Sequence, residues 1–382
     1  MRTADVVIVG GGAVGVSAAY HLSAAGAGHV LVLERADAVG TGSTGACAGG
    51  FRHQFSSRIN IELSLASVPM ILGFSERHGL PLDVAQDGYL FLVRDEDDWR
   101  TFQGAAALQR SMGVDAQLLT PEEAGRIAPG IALDGLVGAT FCPDDGIADP
   151  GGLTQGYATA ARRAGVEIEL GTDVVGVEVR GDRAVGVRTA DGVIEAPAVV
   201  NAAGPWAGAI AASAGVDLPL EPIPRMVVTT GPFDGVPTRR TLVIDAATSY
   251  YFHREGDGVL TGMGGKHEIA SFDLSVDHRF IEEELLPMAV RVFPPIERAG
   301  VANMWAGLYE MTPDRHPIIG ESPVPGLFLA NGFSGHGFQH APIVGKLLAE
   351  LIVEGRARTV DISSLGFDRF ARGDLVVEGH VV

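Results

Sequence analysis

The chain's 382 residues exceed the usual reach of one hydrophobic core, so two domains are expected, and an apolar share of 46% argues against a disordered or solvating chain. Acidic residues outnumber basic ones 47 to 28, and the resulting formal charge of -19 repels phosphate backbones, so nucleic acid is not expected as a partner. The two cysteines, Cys47 and Cys142, are too few and too far apart for a disulfide framework or metal cluster; reduced thiols and no metal are expected.

In chain order, Val6-Val7-Ile8-Val9 reads as a strand buried on both faces. It follows Asp5 directly, with no leader-like apolar region, and no run is long enough to span a bilayer, so a cytoplasmic protein is expected. Glycines follow, then a helix over Ala13–Ala25 stopping at Gly26, then a second buried strand, His29–Leu33. This βαβ unit implies a parallel sheet. Gly88–Val93 reads as a strand, Glu96–Ser111 as a polar helix, and Thr120-Pro121-Glu122-Glu123 as a helix start. Gly138–Cys142 is a strand candidate, Pro150–Ala164 a helix, and strands are expected at Val166–Leu170, Val174–Val179, Ala184–Thr189 and Ala198–Gly204, the last ending at small residues. From Leu218 to Leu308 alternation and aromatic content rise, as at Arg225–Thr230, Ser249–His253 and Gly258–Gly262, which suits an antiparallel sheet covered on one face. Gly326–Ala330 closes the strands. A helix over Pro342–Glu354 follows, its stripe being Ile343, Leu347, Leu348, Leu351 and Ile352. The expected class is α/β, a Rossmann-like dinucleotide-binding domain assembled from 1–85, 145–217 and 309–382, with a mostly antiparallel β-sheet substrate domain from 86–144 and 218–308.

The strongest chemical signal is Gly10-Gly11-Gly12-Ala13-Val14-Gly15, set between that first strand and helix. Gly10 permits the turn, Gly12 lets a pyrophosphate approach the backbone, and Gly15 lets the helix pack closely. The helix start offers free N–H groups and positive charge to the phosphates. Glu34 ends the second strand, placed to accept hydrogen bonds from a ribose.

Four stretches make the chain resemble the D-amino-acid oxidase superfamily of FAD-dependent oxidoreductases, in its sarcosine oxidase, glycine oxidase and proline dehydrogenase-like branch. They are the fingerprint with Glu34-Arg35, the run Gly42 to Arg52, the segment Val199 to Trp206, and the pair Met311–Gly320 and Gly332–Gln339. The resemblance implies a glutathione-reductase type FAD-binding domain. It implies FAD contacts at Gly10, Gly12, Ala13, Val14, Gly15, Glu34, Arg35, Ser43, Thr44, Gly49, Gly50, Val174, Ala203, Gly204, Trp206 and Gly307. Further contacts are implied at Gly332, Ser334, Gly335, His336, Gly337, Phe338 and Gln339, where a helix start with Pro342 at its first position would face the flavin's pyrimidine edge.

The activity so implied is oxidation of a small amine or amino acid (sarcosine-, glycine- or proline-like) to an imine by hydride transfer to flavin N5. Arg52 matches the arginine that holds the substrate carboxylate in relatives, and its fork suits that role. Tyr251 and Tyr309 match substrate-facing tyrosines, with Tyr250 and Phe252 as further walls. His336 and Gln339 join the candidate catalytic set, while His253 and Arg254 are weaker candidates. Where some relatives bind FAD covalently through a cysteine or a histidine, this chain has Gly307 and Ala46, which implies non-covalent FAD. Gln339 replaces a carboxylate-holding lysine, and Lys266 lies near but out of step with an oxygen-activating one. Dioxygen or another acceptor therefore stays open, as does a partner subunit or quinone taking the electrons. A 2-hydroxy-acid dehydrogenase and a non-enzymatic FAD-binding assembly factor are the remaining alternatives.

Overall fold

The computed structural model describes residues 2–265 and 268–380. Its organising element is a six-stranded sheet in the order Glu167–Glu169, Val30–Leu33, Val6–Val9, Ala198–Asn201, Leu327–Asn331, Ile318–Glu321. All neighbours run parallel except the last pair. The central strands are continuous apolar runs because both faces are covered, and their period of two shares them between two cores. Val6, Ile8, Val30, Val32 and Val200 point at the helices Ala13–Ala24 and Gly337–Glu354. Val7, Val9, Leu31, Leu33 and Val199 point at a sheet of Val174–Arg180, Arg183–Thr189, Gly192–Glu195 and Arg2–Thr3.

The two helices press together closely. A Cβ at Gly345 would lie 2.3 Å from Ser17 Oγ and 2.6 Å from the Ser17 carbonyl carbon, so only glycine admits this approach.

The second large sheet has eight strands, ordered Val301–Met311, Glu221–Thr230, Gly258–Met263, Tyr250–Glu255, Leu242–Asp245, Tyr89–Val93, Gly138–Cys142, Gln117–Leu119. It is antiparallel throughout except where Leu242–Asp245 runs parallel to Tyr89–Val93. One face packs on Leu285, Ala289, Val292 and Phe293. A small sheet of Gly50–Phe51, Gly146–Ala148 and Val84–Ala85 lies beside it. The helix start read at Thr120 is a full capping box with Glu123.

Two expectations need correction. The last helix begins at Gly337, more than a turn before Pro342, which sits inside it. Burial of Phe338, Gln339 and His340 outweighs the weak helix propensity of the glycine-rich run. The helix Arg58–Leu72, with Pro69 inside, was not anticipated; its stripe of Ile61, Leu63, Val68 and Ile71 is buried, while Ser64 and Ser67 bond inward to His340 and the Gln339 carbonyl.

Candidate active site

A cavity of about 440 Å³ runs from the glycine turn of the six-stranded sheet to the open face of the eight-stranded one. At its first end Gly10 adopts φ +108°, a region L side chains rarely enter, and a Cβ there would sit 2.4 Å from the Ala202 carbonyl oxygen. Gly15 lies directly beneath, where a Cβ would come within 2.0 Å of the Gly10 oxygen. The helix that starts after Gly12 has no cap from its N-cap residue, so the N–H groups of Val14 and Gly15 stay available to an anion. Glu34 Oε2 accepts from Gly11 N at 2.7 Å and Oε1 accepts from Ala36 N at 2.9 Å, which fixes the carboxylate at the cavity wall. The Arg35 guanidinium lies 3.6 Å over the Trp206 ring. Ala13 N donates to Thr44 Oγ1 at 3.2 Å, and Ser43 Oγ to the Leu308 carbonyl at 2.6 Å, so the early loop bridges the two sheets.

This end fits a dinucleotide. An uncapped helix start, a glycine cradle and a carboxylate held by two amides are what a pyrophosphate and its ribose require. Nineteen of the twenty-three positions read as cofactor contacts line the cavity. The others, Gly15, Gly49, Gly332 and Ser334, stand just behind the wall. Gly49 abuts the Ala148 carbonyl, Gly332 abuts the Thr312 methyl, and Ser334 Oγ accepts from Thr312 N at 3.2 Å.

At the far end Tyr251 and Tyr309 both face the cavity from separate strands. Burial raises both phenol pKa values, Tyr251 well above the ordinary range, so both hydroxyls keep their protons. Tyr250 and Phe252, alternate residues of the same strand, point into the opposite core instead and are not walls. His253 is buried between the Ala48 carbonyl at 3.1 Å and the Arg254 carbonyl at 2.8 Å, and Arg254 bonds to the Gly256 and Pro237 carbonyls; neither reaches the cavity. Lys266 lies outside the described residues.

Arg52 differs most from expectation. Its guanidinium donates to the Gln54 and His380 carbonyls, meets His336 Nε2 at 3.3 Å, and lies 4.1 Å over the Phe55 ring. Its backbone N–H donates to Gln339 Oε1 at 2.8 Å. Burial and the neighbouring Arg52 charge hold His336 well below the ordinary histidine range, so it is neutral and can accept from Arg52. Arg52, His336 and Gln339 come together and all three line the cavity, with the Arg52 fork bonded to the C-terminal segment.

Sequence reasoning missed several lining residues, among them Tyr89, Arg225 and Glu310. Tyr89 belongs to a strand buried on both faces, and its hydroxyl lies where a Cβ on Gly50 would be, 1.6 Å away. Arg225 joins the wall beside Tyr309, its guanidinium carbon 5.0 Å from that ring centre. Glu310 has one oxygen bonded to Phe333 N at 3.3 Å and the other without a partner, and burial pushes its pKa up to about 7. Cys47 also lines the cavity, and burial pushes its thiol up to about 11. Elsewhere Cys142 meets His53 and Asp145, a grouping not expected from cysteine spacing. Asp145 is already engaged by His53 Nδ1 at 2.8 Å, His53 N at 2.7 Å and Gln54 Nε2 at 3.1 Å, which makes it a hydrogen-bond hub.

A dinucleotide turn joined to an aromatic-walled cavity under an antiparallel sheet defines a flavoprotein of the FAD-dependent oxidoreductase class. A family profile described as "FAD dependent oxidoreductase" matches residues 5–351, and the chain belongs to that family. FAD-dependent oxidoreductase domain-containing protein 1 of Xenopus laevis is 32% identical over 425 residues, covering 99% of this chain and 85% of that protein. Mitochondrial sarcosine dehydrogenase of Mus musculus is 30% identical, covering 96% of this chain but 41% of that longer protein. Among solved structures, L-proline dehydrogenase from P. horikoshii superposes with a TM-score of 0.91 at 34% identity, covering 98% of this chain and 99% of its own. Glycine oxidase from Geobacillus kaustophilus superposes at 0.86 and 28%, covering 97% and 99%. The protein is an FAD-dependent oxidoreductase of the D-amino-acid oxidase family. No helix among the described residues is long and apolar enough to cross a membrane.

Proposed function

We propose that the protein oxidises the carbon–nitrogen bond of a small amino acid or secondary amine, of the sarcosine, glycine or proline type, to an imine. One observation carries this reading: Tyr251 and Tyr309, from two strands of one sheet, close the same cavity whose other end is the dinucleotide turn. The sarcosine and proline dehydrogenases to which the chain is similar support the substrate class. FAD, when bound, supplies at N5 the acceptor for a hydride from the substrate's α-carbon. The chain's own part is to bind, orient and dry the amine. Tyr89, Tyr251 and Tyr309 offer aromatic surface with little water, which favours the neutral amine needed for hydride release. Gly10, Gly12, Ala13, Val14 and Glu34 would hold the pyrophosphate and ribose, and the Gly335–Gln339 helix start would face the flavin.

FAD is held without a covalent bond in this reading. A Cβ on Gly307 would lie 2.6 Å from the Ala46 Cβ, so both positions where relatives carry an attaching residue face one another here without a nucleophile. The Cys47 thiol, raised by burial, is no substitute. The domain division rests on the same reading. All strands of the six-stranded sheet fall within 1–85, 145–217 and 309–382, and the eight-stranded sheet draws on 86–144 and 218–308, with Val301–Met311 crossing the boundary.

The test is the anaerobic visible spectrum of the FAD-loaded protein with a panel of amino acids, amines and 2-hydroxy acids. Bleaching by an amino acid or secondary amine, with the flavin released by acid precipitation, is the expected result. Bleaching by 2-hydroxy acids alone, or by none of the panel, would overturn it. Readmitting oxygen then tells dioxygen from another acceptor or a partner subunit.

A further inference from the structure

The site contains a mostly buried cation whose fork is only partly satisfied. Arg225 stands on Glu221–Thr230, opposite Gly307 in the register, so its side chain shares the cavity face with Tyr309, two residues along the paired strand. Its side chain is 13% exposed, and its Nε has no hydrogen-bond partner among the described residues. Arg52 is the reverse case. It lines the same cavity but is 3% exposed, and its fork is spent on the Gln54 and His380 carbonyls and on His336. A desolvated guanidinium is costly without an anion, and its planar fork matches a carboxylate bidentately. The anion now beside it is Glu268, an exposed residue between Met263 and His278 whose Oε1 meets Arg225 Nη1.

We propose that Arg225, rather than Arg52, anchors the carboxylate of the substrate, and that Glu268 competes with the substrate for it. The inference rests on the amino-acid reading above. It places the substrate's carboxylate beside the Tyr309 ring and leaves Arg52, also on the cavity wall, to fasten the C-terminal segment. Glu268 then acts as an internal stand-in for the substrate's charge. Removing the two charges therefore has opposite effects: loss of Arg225 weakens carboxylate binding, and loss of Glu268 strengthens it. A merely structural ion pair would move both variants the same way.

The experiment titrates pyrrole-2-carboxylate, a flat carboxylate that cannot be oxidised to an imine, into the FAD-loaded protein and follows the flavin spectrum. Arg225→Gln should raise the Kd about 100-fold, the scale of a lost charge-assisted pair, and Arg225→Lys less. Glu268→Gln should lower the Kd several-fold. In turnover, Arg225→Gln should erase the preference for proline over pyrrolidine, which lacks the carboxylate. Should Arg225→Gln not retain FAD, the Arg225→Lys and Glu268→Gln pair decides by their opposite shifts. Wild-type affinity and an intact proline preference in the Arg225 variants, or no tightening in Glu268→Gln, would overturn the anchor. Amino-acid bleaching that survives unchanged in Arg225→Gln removes Arg225 alone and leaves the amino-acid reading standing. A wild-type protein that no amino acid bleaches and that binds no carboxylate probe removes both.

Discussion

Replacing Glu310 by Gln should make the protein more stable at alkaline pH and leave it unchanged in acid. The carboxyl lines the cavity; among the described residues one oxygen has no partner and the carboxyl is bonded only by backbone amides of the Gly332–Phe333 turn. Burial raises its pKa from 4.5 to about 7, so between those values the folded chain keeps a proton that the unfolded chain has released. Stability is therefore full below about pH 4.5, falls as pH rises, and levels off above about 7. A shift of this size corresponds to ~3 kcal/mol, and the neutral amide of Glu310→Gln avoids most of that penalty. Scaled by the unfolding entropy of a chain this long, the gain is about 4 °C in the melting temperature at pH 8. The assay is thermal unfolding of wild type and variant, both FAD-loaded, from pH 4.5 to 8.5. Parallel curves across that range would refute the reasoning, because they would mean that Glu310 is ionised in the fold at the same pH as in the unfolded chain.

Three further outcomes are expected. Asp314→Ala should cost about 3–5 kcal/mol, because Arg369, 1% exposed and bonded to Asp314 at 2.7 and 3.1 Å, would be left buried without its counter-ion; Arg369→Met in the same background should recover part of it, read by denaturant midpoint. Gly307→Val should lower flavin content, measured as visible flavin absorbance relative to protein absorbance, because its Cβ would press on Ala46 in the cavity wall. Burial alone would raise the Glu378 carboxyl, but the hydroxyls of Ser56 and Ser57 and nearby amides hold it well below the carboxylate range. Its contribution is therefore present above about pH 4.5 and lost as pH falls, and Glu378→Gln should flatten the acid limb of the stability curve.

Signals carried by neighbours in sequence were legible, and signals carried by register were not. The Gly10–Gly15 turn and Glu34 belong to one βαβ unit, so their roles follow from spacing. Alternation shows that Tyr250 and Tyr251 face opposite sides of a strand, but not which side is the cavity. Pairing of the strand with Leu242–Asp245 and Gly258–Met263 decides that. Arg225 and Glu310 carry no local motif. One becomes visible only through its pairing with Gly307, the other through the Phe333 amide that meets it. The Arg52 bond to the His380 carbonyl spans 328 positions, and no spacing rule reaches that far. The late helix start was misplaced because proline at a first helical position is a good local rule, which long-range burial overrode.

The close crossing at Gly345 and Ser17 has a bearing on how the protein can hold a flavin. The two helices it joins both begin at the cavity, one behind the dinucleotide turn at Gly12, the other at Gly337. Fastened at a glycine contact, they act as the fixed jaws of a calliper, and the gap between them is set by packing rather than by loops. A flavin held at both helix starts would meet them at a spacing that this packing fixes, and any side chain placed at Gly345 would change it.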